Sequence, residues 1–515
     1  MTVQSIHFAA TSRAPVDLGN GLIMRWSSRA DTANVSALVG ASFRWMTFHN
    51  PPADGVIPGP NEFFAAGARR LLTGKNATMS EHDYALIEDT KREEGKNPIV
   101  ACVSLHRLRA FYGSVDLFFG KPELVATDPE YRNQGFVRKL LKEMIHPESD
   151  ARGDVLQLIP GIPHFYRQFG YEYALCSFNS GKIEDVEKLP KLGKDQKMEP
   201  YRLRKATEDD IPYLVSMSTK DRVDPCAEVG LYYGQEYWQW TVHDIYQVPL
   251  NKKIDRNRDS QIVVDAATGE DVGFTVTSQA FGLKIEVFVV DSSKAFISEA
   301  LYPILRGLAA NEKKRLEALK AAETDAEEAE KIKTEGFSML VGLPQAHPVC
   351  QLLGPTMTPP GKLPGFRFFT RIADYAKFIK AVQPELEKRL ANSPMAGTTG
   401  RVQLDFYRIV EGNNAKGLEI VLEKGKMVEI HHWAKPSYEQ NVEQFLKDQK
   451  EGKPKPRTFR AAFAPLTFTA LVTGERSFEE LQFSYGENTC ESDDARLLLN
   501  ILFPKVTQHV DTFYW

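Results

Sequence analysis

The sequence predicts a mixed α/β protein made of several domains. Its 515 residues exceed the roughly 250–300 residues at which a single hydrophobic core stops growing. Hydrophobic residues make up 42% of the chain and charged residues 26%, a balance typical of folded globular proteins and not of disordered or collagen-like ones. Apolar patterns of strand period and of helix period follow one another along the chain, which favours an α/β architecture.

Composition also excludes several functions. The 64 Lys and Arg residues against 68 Asp and Glu residues leave a formal charge of −4, so no global attraction to nucleic acid or to an acidic membrane is expected.

The five cysteines show no C-x-x-C spacing, which favours a reduced cytoplasmic compartment over disulfides or thiolate metal sites. His431 and His432 have no further ligand at metal-binding spacing. No apolar run is as long as the about 20 residues that a membrane-spanning helix needs. We therefore expect a cytoplasmic protein with no metal, no nucleic-acid partner and no membrane partner.

Two stretches of the chain share one order of elements. In each, an arginine near the end of a strand is followed by a hydroxyl residue three positions later, an aspartate six positions later, and then an amphipathic helix. The hydroxyl residue is a natural helix N-cap, and the aspartate favours the positive start of the helix. Later strands and helices follow in the same order in both stretches, as an internal duplication would produce. These residues are Arg25, Ser28 and Asp31 in the first stretch and Arg204, Thr207 and Asp210 in the second.

The duplication sets the expected domain boundaries. Residues 1–180 are predicted to form the first α/β domain and residues 201–370 the second. The intervening segment 181–200 is rich in Lys, Glu, Gly and Pro without an apolar period, which is typical of a linker. Farther on, alternating strands are followed by a helix capping box and a final apolar helix. Residues 371–515 are therefore predicted to form a third, α+β domain.

A turn in the first domain has the features of a phosphate site. The strand 123–127 is followed by a loop that contains Arg132 and ends in Gly135 at the start of a helix. A glycine lets backbone N–H groups approach an anion closely, and the helix dipole favours negative charge at this end. Taken alone, the same pattern fits an ordinary loop beside a solvated basic helix face.

Two neighbouring motifs favour the phosphate site. The segment 125–137 resembles the acyl-CoA pyrophosphate loop of the GNAT superfamily of N-acetyltransferases, whose pattern is Q/R-x-x-G-x-G/A. Arg132 and Gly135 match this pattern, and Val137 departs from it at the last position. Farther along, the segment 165–171 resembles the second signature of the superfamily, fYxxxGF/Y. The resemblance implies an acetyl-CoA site in which strand N–H groups hold the thioester carbonyl and loop N–H groups hold the diphosphate. The residues implied are Val125, Thr127, Arg132, Asn133, Gln134, Gly135, Phe136 and Val137.

The resemblance extends over the whole chain. Two tandem GNAT domains followed by a sterol-carrier-protein-like α+β domain resemble the enhanced-intracellular-survival family of acetyltransferases, which is known in bacteria for acetylating aminoglycosides at several amines. The family implies a homo-oligomer, a catalytic acid at Tyr166 and a catalytic base in the C-terminal carboxylate of Trp515. Glu123, which opens the strand before the loop, is the alternative base.

The second copy lacks the corresponding groups. Aligning Gly354 with Gly170 places Cys350 where the first copy has Tyr166. The strand that ends at Val290 is followed by no Arg-x-x-Gly turn. We therefore expect the second domain to be a degenerate GNAT domain without catalytic activity.

The predicted function is acetyl-CoA-dependent N-acetylation of a primary amine of a small molecule by direct attack. An alkylammonium of pKa about 10.4 must lose a proton, and a leaving thiolate of pKa about 8.5 gains one, so the reaction calls for a base and an acid. No acidic residue immediately precedes Trp515, the nearest being Asp511, which argues against a strongly cationic aminoglycoside. A lysine side chain of a protein fits the chemistry as well as a small amine does.

A different class of function stays open at this point. The sterol-carrier-like resemblance suggests a lipid- or sterol-binding scaffold whose GNAT domains are relics. The intact Arg132, Gly135 and Tyr166 argue against this alternative, because a relic should have lost these residues as the second copy has.

Overall fold

A computed structural model confirms the mixed α/β architecture. It describes residues 8–45, 57–74, 76–177, 181–193, 196–219, 223, 225–242, 258–279, 282–358, 367–407, 416–450 and 457–510. Within these ranges the strands form three sheets.

Strands and helices alternate along most of the described chain. The strands are β1 (Val16–Gly19), β2 (Leu22–Trp26), β3 (Tyr84–Asp89), β4 (Ile99–Tyr112), β5 (Val115–Thr127), β6 (Leu156–Ile159), β7 (Glu172–Cys176), β8 (Gly181–Ile183), β9 (Tyr201–Lys205), β10 (Val229–Leu231), β11 (Arg258–Asp265), β12 (Asp271–Ser278), β13 (Leu283–Val290), β14 (Met339–Val341), β15 (Arg367–Arg371), β16 (Gly400–Phe406), β17 (Gly417–Glu423), β18 (Lys426–His432), β19 (Thr458–Phe463), β20 (Thr489–Cys490) and β21 (Gln508–His509). The helices are α1 (Thr32–Ser42), α2 (Glu62–Leu71), α3 (Phe136–Leu140), α4 (His146–Ala151), α5 (Ile211–Met217), α6 (Gln235–Val242), α7 (Ile297–Ala322), α8 (Ala326–Lys331), α9 (Pro348–Leu353), α10 (Tyr375–Ala391), α11 (Tyr438–Lys450), α12 (Thr467–Val472), α13 (Phe478–Ser484) and α14 (Asp493–Leu502). A π-helical turn, Leu141–Ile145, joins α3 to α4 in one helical run.

The first sheet has helices on both faces. Its main strand order is β1-β2-β3-β4-β5-β6-β15-β7, and β10 and β21 extend it beside β4. Neighbouring side chains of β4 point to opposite faces, as the strand period requires. Cys102 packs in the core formed with α1 and α2, and Val103 packs in the core formed with α3.

The first two sheets exchange strands. The second sheet has the order β8-β14-β13-β12-β11-β9. Its edge strand β8 directly follows β7 of the first sheet in sequence, whereas β15 follows the second sheet in sequence and inserts between β6 and β7 of the first. The segment 181–200, predicted to be a linker, therefore begins as a strand of the second sheet. The domain boundaries themselves remain predictions.

The duplicated helix starts are confirmed. Arg25 binds Asp31 through two hydrogen bonds of 2.7 and 2.9 Å, and Arg204 binds Asp210 through two of 2.7 Å. In both copies the aspartate also accepts a hydrogen bond of 2.8 Å from the backbone N–H of the hydroxyl residue three positions earlier. The sequence predicted this pattern because the contacts among the arginine, the hydroxyl residue and the aspartate all fall within seven residues.

The third sheet belongs to the predicted α+β region. Its order is β18-β17-β16-β19-β20, and α10, α12 and α14 contribute to its core. The predicted capping box is present at α13, where Ser477 N–H donates to Glu480 at 3.0 Å and Glu480 N–H donates to Ser477 Oγ at 3.2 Å. Across the described ranges, no helix combines the length and the apolarity needed to cross a membrane.

Candidate active site

Strand β5 is interrupted by a β-bulge close to the predicted thioester site. Two of its residues, Leu124 and Val125, lie opposite the single residue Val103 of β4. Leu124 has a φ of 48°, in the left-handed region that leucine rarely adopts. A bulge removes a backbone group from the regular ladder, so this stretch of strand has hydrogen-bonding capacity for a ligand carbonyl.

Strands β5 and β6 separate beyond the middle of β5. They pair in parallel at Phe119–Leu156 and at Gly120–Gln157. Farther along, β5 continues to Thr127 and β6 pairs with β15. Among the described residues, the edge of β5 next to the bulge is thus not paired with β6, an arrangement suited to binding an extended chain that carries amides.

The loop after β5 turns sharply into a helix. Residues 129–131 form a 3₁₀ turn, and the chain then passes through two left-handed residues, Asn133 with φ 62° and Gly135 with φ 78°. Helix α3 starts at Phe136, directly after Gly135. The first N–H groups of a helix have no intrahelical acceptor, so they are available to an anion. Arg132 lies exposed in the same loop.

The base of this loop is held by the β3–β4 connection. Arg92 donates to Asp128 at 2.7 Å, and its guanidinium stacks 5.0 Å from the centre of the Tyr131 ring. The Tyr131 hydroxyl donates to Asp89 at 2.5 Å. The loop is thus fixed in shape before any ligand arrives.

Thr127, the last residue of β5, has a buried polar group, the hydroxyl Oγ1, without a partner among the described residues. A buried hydroxyl without a partner is costly, which indicates a place where a ligand completes the hydrogen bonding.

Tyr166 lies in an aromatic cluster on the face of the sheet that carries α3. It sits in a 3₁₀ helix, Phe165–Phe169, and is only 4% exposed. The centre of its ring lies 5.1 Å from that of Phe165, 6.0 Å from Tyr171 and 5.7 Å from Phe369. Burial raises the pKa of Tyr166 well above its ordinary value, so the hydroxyl is protonated at neutral pH.

One wall of this cluster comes from a distant part of the chain. Phe369 belongs to β15, is fully buried, and stacks on Tyr173 with 3.9 Å between ring centres. Sequence reasoning did not find this contact. No local pattern shows that a strand will insert into a sheet formed about two hundred residues earlier.

Glu123 is already engaged on the opposite face of β5. Its carboxylate accepts a hydrogen bond of 2.9 Å from Lys121 Nζ, and His106 Nε2 lies 3.6 Å away. Lys121 and His106 are both fully buried, and Glu123 is 6% exposed. The carboxylate is therefore already committed to a buried ion pair.

The described chain ends on the first sheet. Trp515 falls within residues 511–515, which lie outside the described residues. Val510 N–H donates to the carbonyl of Cys176, the last residue of β7, at 3.2 Å. Gln508 donates to the carbonyls of Ala174 and Thr473 at 3.0 and 2.8 Å, which fixes β21 between the first sheet and the α+β region.

The second sheet lacks the corresponding features. Between the end of β13 and the start of α7 stand residues 291–296, with neither an arginine nor a glycine. Cys350 is buried in α9, and its thiol faces the carbonyl of Leu343 at 3.9 Å. In the part of the chain that the structure describes, no group of three or more metal-ligating side chains occurs.

Comparisons with known proteins agree with this geometry. Residues 54–174 match the model of the acetyltransferase (GNAT) domain. A GCN5-related N-acetyltransferase from Kribbella flavida has a similar fold, with 14% identity, a TM-score of 0.56, and coverage of 96% of this chain and 98% of that one. One from Anabaena variabilis ATCC 29413 has 13% identity, a TM-score of 0.58, and coverage of 95% and 99%. Eis1 from Mycobacterium abscessus has 12% identity, a TM-score of 0.51, and coverage of 95% and 98%. No curated protein sequence matches the chain.

The fold and the domain match define the class. The chain contains a GNAT acetyltransferase domain at residues 54–174, and this domain makes it an acyltransferase. The three solved structures share the overall fold over nearly the whole chain, at identities that establish the fold alone.

Proposed function

We propose that this chain is an acetyl-CoA-dependent N-acetyltransferase that acetylates a primary amine of a small molecule by direct attack. The observation that carries the proposal is the combination of the bulge at Leu124 with the left-handed turn at Gly135, at the end of a strand that separates from its neighbour. Tyr166 packs in the same core cluster as Phe136, the first residue of the helix after that turn.

Acetyl-CoA would be bound by backbone groups in two places. The N–H groups of the Val125–Thr127 stretch would hold the thioester carbonyl, and the hydroxyl of Thr127 would gain a partner there. The amides of residues 134–137 would hold the diphosphate at the helix start, with Arg132 adding positive charge and Asn133 shaping the turn. Val137 replaces the small residue of the GNAT pattern, and the turn before it keeps its left-handed glycine.

Tyr166 would act as the acid. In the reaction the amine nitrogen attacks the thioester carbonyl carbon, the carbon–sulfur bond breaks, and the leaving sulfur takes a proton. The raised pKa keeps the Tyr166 hydroxyl protonated until the thiolate forms. Its aromatic surroundings exclude water, which strengthens electrostatic interactions at the reacting atoms.

The base would be the carboxylate of Trp515. Five residues after Val510 reach at most about 17 Å. From Cys176, the partner of Val510, three strand residues lead back about 10 Å to Tyr173. The Tyr173 ring stacks on Phe369 with 3.9 Å between ring centres, and the Phe369 ring lies 5.7 Å from that of Tyr166. The last described residue of the chain therefore lies on the strand whose side chains pack toward Tyr166, which supports the tail as the source of the base. Glu123 is the alternative base, and its ion pair with Lys121 disfavours that role.

The domain organisation of the proposal follows the duplication. Residues 1–180 would form the catalytic GNAT domain, 201–370 a degenerate GNAT domain joined by the segment 181–200, and 371–515 a sterol-carrier-protein-like domain that delivers the tail. Strand β8 from the first part of the chain pairs in the second sheet, and β15, which follows the second sheet in sequence, pairs in the first. This interlocking supports two domains that function together. A homo-oligomer in the cytoplasm is part of the proposal.

The acceptor is proposed to be a small amine. Two other functions lead to different outcomes in the same assay, namely acetylation of lysine side chains of proteins and binding of lipids by a catalytically silent scaffold. Tyr166 and the turn at Gly135 support an enzyme, because the second sheet has a counterpart of neither.

One assay tests the proposal. Free thiol release from acetyl-CoA is measured over polyamines, aryl amines, amino acids and lysine peptides, for the wild type, for Tyr166→Phe and for a chain ending at Phe513. We expect turnover with a small amine and a fall of about 100-fold or more in kcat for Tyr166→Phe, the range over which general acid catalysis contributes.

The outcomes separate the alternatives. Absence of acetyl-CoA binding by calorimetry would exclude the enzyme. Turnover with lysine peptides alone would move the acceptor class to proteins. Unchanged turnover in the chain ending at Phe513 would exclude the terminal carboxylate and direct attention to Glu123.

A further inference from the structure

A buried hydrogen-bond network lies next to the Tyr166 cluster. It runs from β15 through α4 and β6 to the last residue of the segment 165–171, and it ends on the helical run that begins after Gly135. Four of its five side chains are at least nine-tenths buried. The members, in order, are Arg371, Asp150, Gln157, Tyr171 and His146.

The ion pair at one end fixes the direction of the network. Arg371 donates to both carboxylate oxygens of Asp150, at 3.0 Å each. Gln157 donates from Nε2 to the same carboxylate at 3.0 Å. An ionised carboxylate can only accept hydrogen bonds. The Gln157 amide therefore turns its nitrogen toward Asp150 and its oxygen toward Tyr171.

The later hydrogen bonds follow from this orientation. Tyr171 Oη donates to Gln157 Oε1 at 2.8 Å, because an amide oxygen can only accept. His146 Nε2 lies 3.1 Å from Tyr171 Oη, whose own proton is already engaged, so His146 donates from Nε2. Burial and the charges of Arg371 and Lys142 lower the pKa of His146, so its ring is neutral and has a single N–H. The network thus has one arrangement of its protons.

Tyr171 connects this network to Tyr166. The two rings meet edge to face, with 6.0 Å between their centres. The backbone N–H of Tyr171 also donates to the carbonyl of Tyr166 at 3.4 Å. Among the described residues, none forms a hydrogen bond with the Tyr166 hydroxyl. The packing of the neighbouring rings therefore sets the position of that hydroxyl.

The helix that supplies His146 has an unusual backbone. It begins as α3 after Gly135 and passes through the π-helical turn Leu141–Ile145 directly before His146. Such turns are rare, and they occur frequently at functional sites. Three successive residues are buried here, Met144, Ile145 and His146, which is more than the single stripe of a regular surface helix. The π turn therefore lets His146 face Tyr171 while its apolar neighbours stay in the core.

We propose that His146 and Tyr171 are positioning residues, which hold the Tyr166 hydroxyl where it meets the leaving sulfur. The inference rests on the proposed function, in which Tyr166 is the acid. Neither residue touches the reacting atoms, so their effect on the rate passes through Tyr166. Because a misplacement of about 1 Å can lower a rate about 100-fold, a smaller shift of the ring should lower kcat about tenfold. The KM for acetyl-CoA should not change, because its contacts are elsewhere.

Free thiol release from acetyl-CoA measures the effect, with the amine of the assay above that the wild type acetylates. Tyr171→Phe removes the hydroxyl and keeps the ring. His146→Leu removes the N–H donor, whereas His146→Gln keeps a donor at similar reach. Tyr375→Phe is the matched control, because it removes another buried tyrosine hydroxyl, one that lies 2.6 Å from Thr469 Oγ1 in the α+β region. Thermal melts give the temperature at which the variants are folded.

We expect kcat to fall about tenfold in Tyr171→Phe and in His146→Leu, at an unchanged KM for acetyl-CoA. His146→Gln should recover most of kcat. Tyr375→Phe should lose a similar stability and keep the wild-type kcat. In a Tyr166→Phe background, Tyr171→Phe should lower kcat no further, because the hydroxyl through which it acts is gone.

Three results would overturn the inference: a wild-type kcat in Tyr171→Phe, an equal loss in Tyr375→Phe, or an undiminished loss in the Tyr166→Phe background. If Tyr171→Phe does not fold, equal kcat values in His146→Leu and His146→Gln would overturn it instead. A wild-type kcat in Tyr166→Phe would refute the acid of the proposed function and the positioning role with it. The inference fails alone when Tyr166→Phe lowers kcat and Tyr171→Phe does not.

Discussion

The ring of Tyr166 lies directly against the backbone of Gly161. A Cβ atom built on Gly161 would overlap Cε2 of the Tyr166 ring and lie 2.7 Å from Cδ2. Phe369 packs against the same ring at 5.7 Å between centres. The position of the Tyr166 hydroxyl is therefore set by close packing from two segments that are remote from each other in sequence.

Gly161→Ala should displace the Tyr166 ring and lower kcat. The added methyl group has no space, and overpacking of this kind costs about 1–3 kcal/mol of stability. Because a displacement of about 1 Å can reduce a rate about 100-fold, we expect kcat to fall well before the protein unfolds. Steady-state kinetics with acetyl-CoA, alongside a thermal melt, measures both effects.

Gly193→Ala is the control for that change. The nearest atom to its added Cβ is the end of the flexible Gln196 side chain at 3.4 Å, so rate and melting temperature should stay the same. A Gly161→Ala enzyme with the wild-type kcat would show that the ring position does not matter for the reaction.

Phe369→Ala should lower both stability and kcat, whereas Phe368→Ala should lower stability alone. Both side chains are fully buried, and removal of a buried phenylalanine costs about 3–5 kcal/mol. Phe369 packs on Tyr166, and Phe368 belongs to the core shared with the α+β region. Kinetics at a temperature where both variants remain folded distinguishes them. Equal kcat values in the two variants would contradict a role for β15 in the active site.

Gly135→Ala should raise the KM for acetyl-CoA more than it changes kcat. Alanine is strained at φ 78°, which costs about 1–2 kcal/mol and alters the turn that presents the N–H groups. Gly153→Ala is closely matched, with φ 80°, open space around the added Cβ, and a position just after the other end of the same helical run. It should lose similar stability and keep its affinity for acetyl-CoA. A similar rise in KM in both variants would indicate a general effect of helix strain.

Glu148→Gln should destabilise the protein at neutral pH and have less effect in acid. Burial works to raise the pKa of Glu148, but hydrogen bonds from Thr11 and Ala10 and the charges of Arg152 and Arg13 outweigh it, so the pKa lies below its ordinary value. A lowered folded-state pKa stabilises the fold above the unfolded-state value of about 4.3, and this stabilisation is lost as the pH falls.

Urea denaturation of the wild type and Glu148→Gln at pH 7 and near pH 4 measures this. We expect a difference in the free energy of unfolding of about 3–5 kcal/mol at pH 7, the range for breaking a buried ion pair. The difference should shrink at the lower pH. A gap that stays constant across this interval would show that the ionised carboxylate is not what stabilises the fold.

Local patterns predicted the features whose contacts are local. The two helix starts at Ser28 and Thr207, the capping box at Ser477 and the turn at Gly135 each depend on residues within about ten positions. The buried pairing of Glu123 with Lys121 was not predicted. Two neighbouring charges of opposite sign on a strand are equally consistent with an exposed face, and only the packing of α1 and α2 on β4 and β5 buries them.

Hydrogen bonding and backbone conformation among near neighbours produce the α/β class, the repeated helix starts and the left-handed turn at Gly135, so these features were predictable from the sequence. Which strands meet depends on long-range packing. The insertion of β15 brings Phe369 to Tyr166, and the exchange of β8 ties the second sheet to the first. Such contacts depend on the burial of whole surfaces across the fold, and no single segment of the chain encodes them.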